Sequence, residues 1–284
     1  MHLLISHETV YHYDAPLARS TQYLRLTPRP TPGLRVLSWA LTLPAPASAC
    51  LDAYGNHMHV LTLDGPRREI HLFARGEVDT PDGPPQPDRE DALPPELFLR
   101  DSALTRADAA LQAFALRFAE PCRQDARQGL ALMMEALGVQ MPYTPGLTDA
   151  ATPAAEAFAS GLGVCQDHAQ VFVTCARLLG LPARYVSGYL AADAEHVASH
   201  AWAEVRVPDA DHDPQGGGWL GYDVSNQCLA DGRYVRLAIG ADYLDACPVR
   251  GVRQGGGVEG MRAKVEVKPG PGVTPEQLQQ LQQQ

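Results

Sequence analysis

Segments in which apolar and polar residues alternate run through residues 1–79. A period of two puts every second side chain on the same face of a strand, so the segments are typical of half-buried β-strands. Turn-forming residues separate them at 14–16, 31–33 and 54–56. The pattern predicts an N-terminal domain over 1–79 with five or more short strands, folded as a small β-sandwich or open barrel. The segments are LLISHETVYHY, TQYLRLTPR, LRVLSWALTL, HMHVLTL and EIHLFARGEV.

Residues 80–95 break this pattern with six prolines among several charged side chains. Proline has no amide donor for a strand ladder, and it disfavours a helical conformation in the residue before it. This segment is therefore predicted to be a linker, and a second domain is predicted over 96–270.

Helical periodicity follows the linker. Thr105 and Asp108 have the spacing of a capping box, which predicts the start of a helix. Two apolar stripes at helical spacing come next, and both are typical of buried core faces. A third helix should begin at or just before Cys165 and end before Gly180 and Pro182. The stripes are Leu111, Phe114, Ala115 and Phe118, then Leu130, Met133, Met134 and Leu137, the second stopped by Gly138.

Strands return after the third helix, at 184–190, 199–207 and 219–225. The last two flank a polar, glycine-rich stretch at 208–218, so they are predicted to form an antiparallel hairpin. A further strand is predicted at 258–268. The glutamine-rich end, 271–284, is predicted to be a disordered tail.

Composition narrows the function classes. Hydrophobic residues make up 45% of the chain and charged residues 20%, which is typical of a soluble globular protein. No apolar stretch approaches the ~20 residues that span a bilayer, and the N-terminus does not have the pattern of a signal peptide. We therefore expect a cytoplasmic protein without a membrane partner. The net charge of -10 disfavours nucleic acid as a partner.

The cysteines and acidic residues give no metal-site pattern. The six cysteines contain no C-x-x-C pair, and at least four of them are predicted to be small buried side chains. Asp209, Asp211 and Asp213 resemble the opening of a calcium-binding loop. However, Pro214 replaces its required glycine and Leu220 stands where a bidentate glutamate is needed. We expect no metal and no cofactor.

Cys165 has the local sequence of a nucleophile. It lies at the predicted first turn of a helix, where free amide groups and the helix dipole favour a thiolate. Gly161 and Gly163 allow a sharp bend and a close approach to substrate. The Cys165 amide would point to a developing oxyanion. His168, three residues later, is predicted to be a packing histidine rather than a second base.

His200 and Asp223 complete a candidate triad. In the predicted hairpin the start of one strand meets the end of the other, so the two side chains become cross-strand neighbours on one face. Cys165 would attack a carbonyl, His200 would transfer the proton, and Asp223 would orient the imidazole. The product of attack is a thioester, released to water or to an amine.

The runs GVCQDHAQVFVTCARLLGLPARYVSGYL, SHAWAEV and GWLGYDVSNQ resemble the core of the transglutaminase-like cysteine enzyme superfamily. HETVYHYDAPLARSTQYLRLTPRP and DAYGNHMHVL are similar to the N-terminal β domain of its bacterial branch. The resemblance covers nearly the whole chain. It implies an α+β, papain-like catalytic core with Cys165, His200 and Asp223 as the triad.

Two departures from the family pattern bear on the oxyanion site. Animal transglutaminases use an upstream tryptophan as an oxyanion donor, but this chain has none between Trp39 and Trp202. The Tyr143 hydroxyl is a candidate replacement. Gln166 and Trp202 are further oxyanion or substrate candidates, and Trp202 is expected to pack against the imidazole. The family's D-P-T-N is here Asp223-Val-Ser-Asn226, which keeps the carboxylate.

The resemblance implies a thiol hydrolase or acyltransferase with a peptide or protein substrate. Hydrolysis of peptide or isopeptide bonds is the leading expectation. Transfer of the acyl group to an amine, or deamidation of glutamine, stays open, and so does a non-catalytic binding module.

Overall fold

The computed structural model describes residues 1–83, 85, 88, 93–191, 199–209 and 213–270. These residues form an α+β protein with two antiparallel β-sheets. The first sheet contains strands β1 (His2–Leu24), β2 (Arg35–Thr42), β3 (Ala47–Leu51), β4 (His57–Asp79), β10 (Val249–Gly255) and β11 (Glu259–Pro269). The α+β fold class that the sequence predicts, with an N-terminal β domain before the catalytic core, is confirmed.

The N-terminal sheet is built around two long strands. β1 and β4 pair along nearly their whole length, and one core cluster contains residues from the second half of β1 and from most of β4, including Tyr11, Leu24, Leu61 and Leu72. The turn predicted at 14–16 is wrong. β1 continues through residues 14–16 with a shift of register between His12 and Leu17, because the segments on both sides of them pair with β4. The turns predicted at 31–33 and 54–56 are present. β3 was not predicted.

The two C-terminal strands belong to this N-terminal sheet. β10 pairs with the second half of β1, and β11 pairs with the first half. The strand predicted at 258–268 is therefore confirmed, but its assignment to the domain 96–270 is corrected. The reason is packing, since Val265 and Val267 are buried in one cluster with Leu3 and Ile5.

The second sheet has the order β8-β7-β6-β5-β9. Helices pack against one of its faces, where Phe172 of α5 stacks on Tyr222 of β7 with ring centroids 5.3 Å apart. The strands are β5 (Ala183–Leu190), β6 (His200–Asp209), β7 (Asp213–Asp223), β8 (Cys228–Leu229) and β9 (Tyr234–Gly240). The helices are α1 (Ala109–Leu116), α2 (Ala119–Gln124), α3 (Ala126–Gln140), α4 (Ala154–Ser160), α5 (Cys165–Leu178) and α6 (Tyr243–Ala246), with a 3-10 turn at Pro95–Leu99.

Two predicted helix signals are wrong, and three helices, α2, α4 and α6, were not predicted. Thr105 does not cap a helix; its hydroxyl bonds Ser102 and Arg177, and Asp108 caps α1 through the Leu111 amide. α3 continues past Gly138. A Cβ at that position would lie 2.2 Å from the Gln227 amide nitrogen, so the glycine makes room for a neighbour rather than ending the helix.

Residues 208–218 are strand at both ends rather than loop, and Ala210, Asp211 and His212 lie outside the described residues. The resemblance of Asp209, Asp211 and Asp213 to a calcium-binding loop therefore lies partly outside the described residues. Parts of the 80–95 linker and the tail 271–284 also lie outside them. Within the described part of the chain, no helix is both long enough and apolar enough to cross a membrane.

Candidate active site

Cys165 is the first residue of helix α5, as predicted. Its thiol is partly exposed and packs near Tyr185 and Tyr243. The amides of the first helical turn have no partner within the helix, so this position carries the positive end of the helix dipole. The location suits a sulfur that must be reached by substrate and stabilised as an anion.

The turn before Cys165 is held by the fully buried Asp167. One carboxylate oxygen accepts from the Val164 amide at 2.8 Å and from the Thr148 hydroxyl at 2.7 Å. Gly163 is required beside it, because a Cβ there would lie 2.7 Å from the Asp167 Cβ. The conformation that presents the nucleophile thus depends on these two residues together.

His200 lies at the start of β6, beside Asp223. Its Nε2 is 2.6 Å from Oδ2 of Asp223. Burial opposes the charged imidazole. The hydrogen bond to Asp223 and its negative charge, with a contribution from the nearby Cys165 thiol, outweigh burial and raise the pKa of His200 to about 10. The imidazole is therefore protonated near neutral pH.

Asp223 ends β7 with its side chain almost fully buried. β6 and β7 pair Ala203 with Tyr222, so the same register brings the end of β7 beside the start of β6, as the hairpin prediction required. Burial disfavours its charge, but the hydrogen bond and positive charge of His200, with further donors, hold the pKa of Asp223 below its ordinary value.

Two of those donors, Asn226 and Tyr234, were not predicted as site residues. Asn226 Nδ2 donates to Asp223 Oδ2 at 2.6 Å, and the Tyr234 hydroxyl donates to the same oxygen at 2.7 Å. Asn226 was quoted only as part of a motif. Tyr234 and Arg236 share one face of an ordinary strand pattern, so nothing local marks Tyr234 as a site residue.

Trp202 packs against the imidazole, as expected. The His200 and Trp202 rings stack with centroids 6.3 Å apart and planes 24° apart, and Tyr234 meets Trp202 edge-on at 5.3 Å. The imidazole is thereby held against an aromatic wall while its Nε2 faces Asp223.

The two remaining candidates lie on the helix side of the sulfur. Tyr143 is bridged to Gly163, just before the nucleophile, and 54% of it is exposed. Burial raises the pKa of its hydroxyl, with smaller contributions from the charges of Cys165 and Asp223. Gln166 points to the neighbouring loop, where its amide donates to the Asp149 carbonyl at 2.9 Å. Oxyanion or substrate roles for both stay predictions.

His168 and most of the cysteines other than Cys165 have no role in the candidate reaction. His168 is buried, and its ring nitrogens bond the Met141 carbonyl at 2.8 Å and the Ser225 hydroxyl at 2.9 Å. Burial lowers its pKa, so it is a neutral packing group. Cys122, Cys175 and Cys247 are buried as expected; Cys50 is exposed on β3 and Cys228 is partly exposed, so the expectation of four buried thiols is wrong.

The arrangement brings the elements that carry a sulfur, a protonated imidazole and a carboxylate together in one row, in which the imidazole bonds the carboxylate at 2.6 Å. An imidazolium beside a thiol at a helix N-terminus favours the thiolate, which is the nucleophilic form. Among the described residues, no group of three or more His, Cys, Asp or Glu side chains is placed to hold a metal ion. The row suits acyl chemistry through a thioester.

Comparison with known proteins places these residues in a family context. Residues 3–79 match the family described as the bacterial transglutaminase-like N-terminal region, and residues 112–224 match the transglutaminase-like superfamily. An uncharacterized protein of Mycobacterium bovis is 32% identical over 283 residues, covering 87% of this chain and 86% of its own length. One of Mycobacterium leprae is 27% identical over 281 residues, covering 93% and 97%.

A crystal structure of a candidate cysteine protease from Cytophaga hutchinsonii has a similar fold, with a TM-score of 0.67 and 18% identity. The match covers 94% of this chain and 90% of that protein. At 18% identity, this similarity shows that the two proteins share the fold of both domains.

Proposed function

Because the chain belongs to the transglutaminase-like superfamily, in the branch with the bacterial N-terminal region, we propose that it is a thiol hydrolase of peptide or isopeptide amide bonds. Members of this superfamily are generally cysteine peptidases or acyltransferases. The observation that carries the proposal is the row in which His200 bonds Asp223 at 2.6 Å and the nearby Cys165 thiol contributes to the raised pKa of the imidazole.

The proposed reaction begins with attack of the Cys165 thiolate on the amide carbon. The oxyanion that forms accepts a hydrogen bond from the Cys165 backbone amide, with the Tyr143 hydroxyl as a second candidate donor. The imidazolium of His200 gives its proton to the leaving amine, and the C–N bond breaks to leave a thioester. Neutral His200 then takes a proton from water, whose oxygen attacks the thioester and releases the acid and the thiolate.

The thiol content of the chain allows a direct test of an activated nucleophile. Cys50 is more exposed than Cys165, and none of the hydrogen bonds among the described residues joins it to an imidazole, which makes it an internal control. Iodoacetamide near neutral pH should alkylate Cys165 faster than Cys50, as measured by peptide mass analysis over time. The preference should disappear in His200→Ala. Faster labelling of Cys50 in the wild-type protein would contradict an activated Cys165.

Turnover is tested on a pool of unlabelled peptides. Cys165→Ala should abolish cleavage while keeping the circular dichroism spectrum, and Cys50→Ala should retain full activity. Retained cleavage in Cys165→Ala would overturn the proposed nucleophile. A wild-type protein with a reactive Cys165 and no turnover on any pool would favour a binding module instead.

Hydrolysis and transfer differ in the fate of the thioester. The reaction is run with a small primary amine present, and product masses are recorded. Cleavage with addition of water supports the proposed hydrolase. A product heavier by the amine supports acyl transfer, and a glutamine peptide that gains about one mass unit without cleavage supports deamidation. The cytoplasmic location stays a prediction.

A further inference from the structure

A short turn of the N-terminal domain, residues 52–56, contacts the catalytic domain. Asp52 holds this turn in shape, since its Oδ1 accepts from the amides of Tyr54 and Asn56 at 2.9 and 3.0 Å. Its Oδ2 accepts from the Arg25 guanidinium at 2.6 Å. An aspartate that bonds the backbone amides after it fixes the conformation of a turn. The side chains of Tyr54 and Asn56 are therefore presented in a defined position.

Both side chains bond the segment that leads from β9 into α6. The Tyr54 hydroxyl donates to Asp245 Oδ2 at 2.6 Å. The Asn56 side chain bonds the amide and the carbonyl of Ile239 at 2.9 and 2.8 Å. The segment is folded closely on itself, because a Cβ on Gly240 would lie 2.5 Å from the Asp245 Cβ. The position of α6 therefore depends on the N-terminal domain.

Tyr243, the first residue of α6, lies near Cys165. The rings of Tyr243 and Tyr185 meet edge-on with centroids 5.9 Å apart, and Cys165 packs against the same cluster. The Tyr243 amide donates to Gln170 of α5 at 3.5 Å. Burial raises the pKa of Tyr243, and the charges of Cys247 and Cys165 add to this effect. Because Tyr243 and Cys165 are both partly exposed, a molecule that reaches the sulfur can contact the ring.

The surroundings of the sulfur on this side are apolar. Four alanine methyl groups lie beside the two tyrosine rings. The acidic groups of α6 are already bonded, since Asp242 accepts from the Asp245 amide at 3.2 Å and Asp245 accepts from Tyr54. α6 follows β9, which lies beyond β5 in the sheet, whereas Asp223 is on β7, on the other side of β6. The alanines are Ala169, Ala201, Ala238 and Ala246.

We propose that Tyr243 is a specificity-determining residue whose ring packs against an apolar side chain of the substrate, and that Tyr54 is a positioning residue that holds α6 through Asp245. The proposal rests on Cys165 as the reacting group of the proposed function. It names the substrate class as peptides with an aromatic or large aliphatic side chain next to the amide that is attacked. It also gives the N-terminal domain a part in substrate selection.

Two alkylating reagents test the ring without any turnover. The thiolate displaces iodide from both iodoacetamide and iodoacetanilide, but the anilide also carries a phenyl group that can pack on Tyr243. The anilide-to-amide rate ratio at Cys165 is divided by the same ratio at the exposed Cys50, which corrects for the intrinsic reactivity of the reagents. In the wild-type protein this corrected ratio should be about two to ten, as expected for an aromatic pair.

Matched variants assign the ratio to the ring and to its support. Tyr243→Ala should reduce it to about one, since the aromatic pair is lost, whereas Tyr243→Phe should retain it. Tyr54→Phe should lower the ratio while iodoacetamide still labels Cys165 at the wild-type rate. Tyr189→Phe removes a hydroxyl from another contact between the sheets and should keep the wild-type ratio. Asp245→Asn keeps an acceptor for Tyr54 and should do the same.

Two results would count against the proposal. A wild-type ratio at Cys165 equal to that at Cys50, or an unchanged ratio in Tyr243→Ala, would rule out packing of the reagent on the ring. Equal corrected ratios in Tyr54→Phe and Tyr189→Phe would rule out the positioning role of Tyr54.

Peptide cleavage separates this proposal from the proposed hydrolase. The peptides differ only in the residue next to the cleaved amide, which is phenylalanine, leucine, aspartate or lysine. Tyr243→Ala should raise KM for the phenylalanine and leucine peptides with little change in kcat. A wild-type protein that cleaves all the peptides equally would overturn the specificity role and leave the hydrolase standing. A protein that cleaves none would disprove the hydrolase, and the corrected ratio would then decide the role of the ring by itself.

Discussion

At the scale of single residues, one carboxylate oxygen carries an unusual share of the candidate site. Asp223 Oδ2 accepts from His200, Asn226 and Tyr234, at 2.6, 2.6 and 2.7 Å. A buried carboxylate with this many donors is fixed in place and stays ionised. The imidazole orientation therefore depends on side chains that never touch the sulfur, so Tyr234 acts as a positioning residue.

Tyr234→Phe is expected to lower kcat about tenfold with little change in KM. Loss of a hydrogen bond to a charged group costs about 1.5–3 kcal/mol, and the freed carboxylate holds the imidazole less firmly. Because the lost donor had kept the pKa of Asp223 low, the acid limb of the pH–rate profile should move to higher pH. The profile is measured with a cleaved peptide.

Tyr189→Phe is the matched control for that variant. It also removes a buried hydroxyl, one that bonds His7 at 2.9 Å, but it does not contact Asp223. Its pH profile should keep the wild-type position. If both variants gave the same unshifted profile, Tyr234 would be a packing residue only.

The charge on His200 should also be visible in stability. Its native pKa of about 10 exceeds the ordinary value of 6.5, so the protonated form stabilises the fold. That contribution is complete below about 6.5 and is lost as pH rises to about 10. The difference in free energy of unfolding between wild type and His200→Gln should shrink across this window, as measured by urea denaturation.

Cys165→Ala offers an intermediate case, because it keeps the Asp223 partner and removes the sulfur. Over the same pH window, the free energy of unfolding that His200 contributes should decline less steeply in this variant than in the wild-type protein. A difference between wild type and His200→Gln that stayed constant with pH would mean that the native imidazole is neutral.

At the scale of elements, the start of α5 couples helix capping to the site. Asp167→Ala should lower the free energy of unfolding by about 1–3 kcal/mol, because the Val164 amide and the Thr148 hydroxyl lose their acceptor in a buried position. Activity should fall as well, since the turn that presents Cys165 loosens. Asp167→Asn keeps an acceptor and should have a smaller effect on both measurements.

Asp108→Ala separates capping from site geometry. Asp108 caps α1 through the Leu111 amide at 2.8 Å and is not part of the site. It should lose comparable stability but keep its activity, as followed by thermal unfolding and peptide cleavage. Equal activity losses in Asp108→Ala and Asp167→Ala would show that general destabilisation, and not the Cys165 turn, explains the defect.

The elements also show what local sequence can predict. The start of α5 at Cys165 and the β6–β7 hairpin follow from signals within a few residues, and both are confirmed. The signals failed where a distant side chain decides the outcome. Gly138 looks like a helix stop but accommodates Gln227, and Tyr234 gains its role only through Asp223, which belongs to another strand. Local pattern does not encode such contacts.

At the scale of the whole molecule, the two sheets share buried surface. Leu3, Val78 and Val267 of the N-terminal sheet form one cluster with Tyr189 and Val235 of the catalytic sheet. Polar contacts join the same faces. Asn56 exchanges hydrogen bonds with the backbone of Ile239, at 2.8 and 2.9 Å. The N-terminal domain is therefore part of the support for β5 and β9.

The C-terminal strands complete that support, which gives the final prediction. A chain ending after Pro248 loses β10 and β11, which cover nearly all of one edge of β1. It also loses the buried side chains of Val265 and Val267, worth about 1.5–3 kcal/mol each. A sum of about 3–6 kcal/mol is comparable to the whole stability of many domains. The N-terminal sheet should therefore unfold or aggregate.

A chain ending after Gly270 is the control, because it keeps both strands and the bond from the Gly270 amide to the His2 carbonyl at 2.8 Å. Thermal unfolding and amide exchange along β1 distinguish the two truncations. The control should match the full chain. The shorter chain should lose protection from exchange in β1 first and then in β5, because Val265 and Val267 no longer cover Leu3 and Ile5 where β1 packs against the catalytic sheet. If the unfolding temperature of the shorter chain lay within about 2 °C of that of the control, β10 and β11 would contribute little to the stability of the N-terminal sheet. The domain boundary would then lie nearer to the one that the sequence predicts.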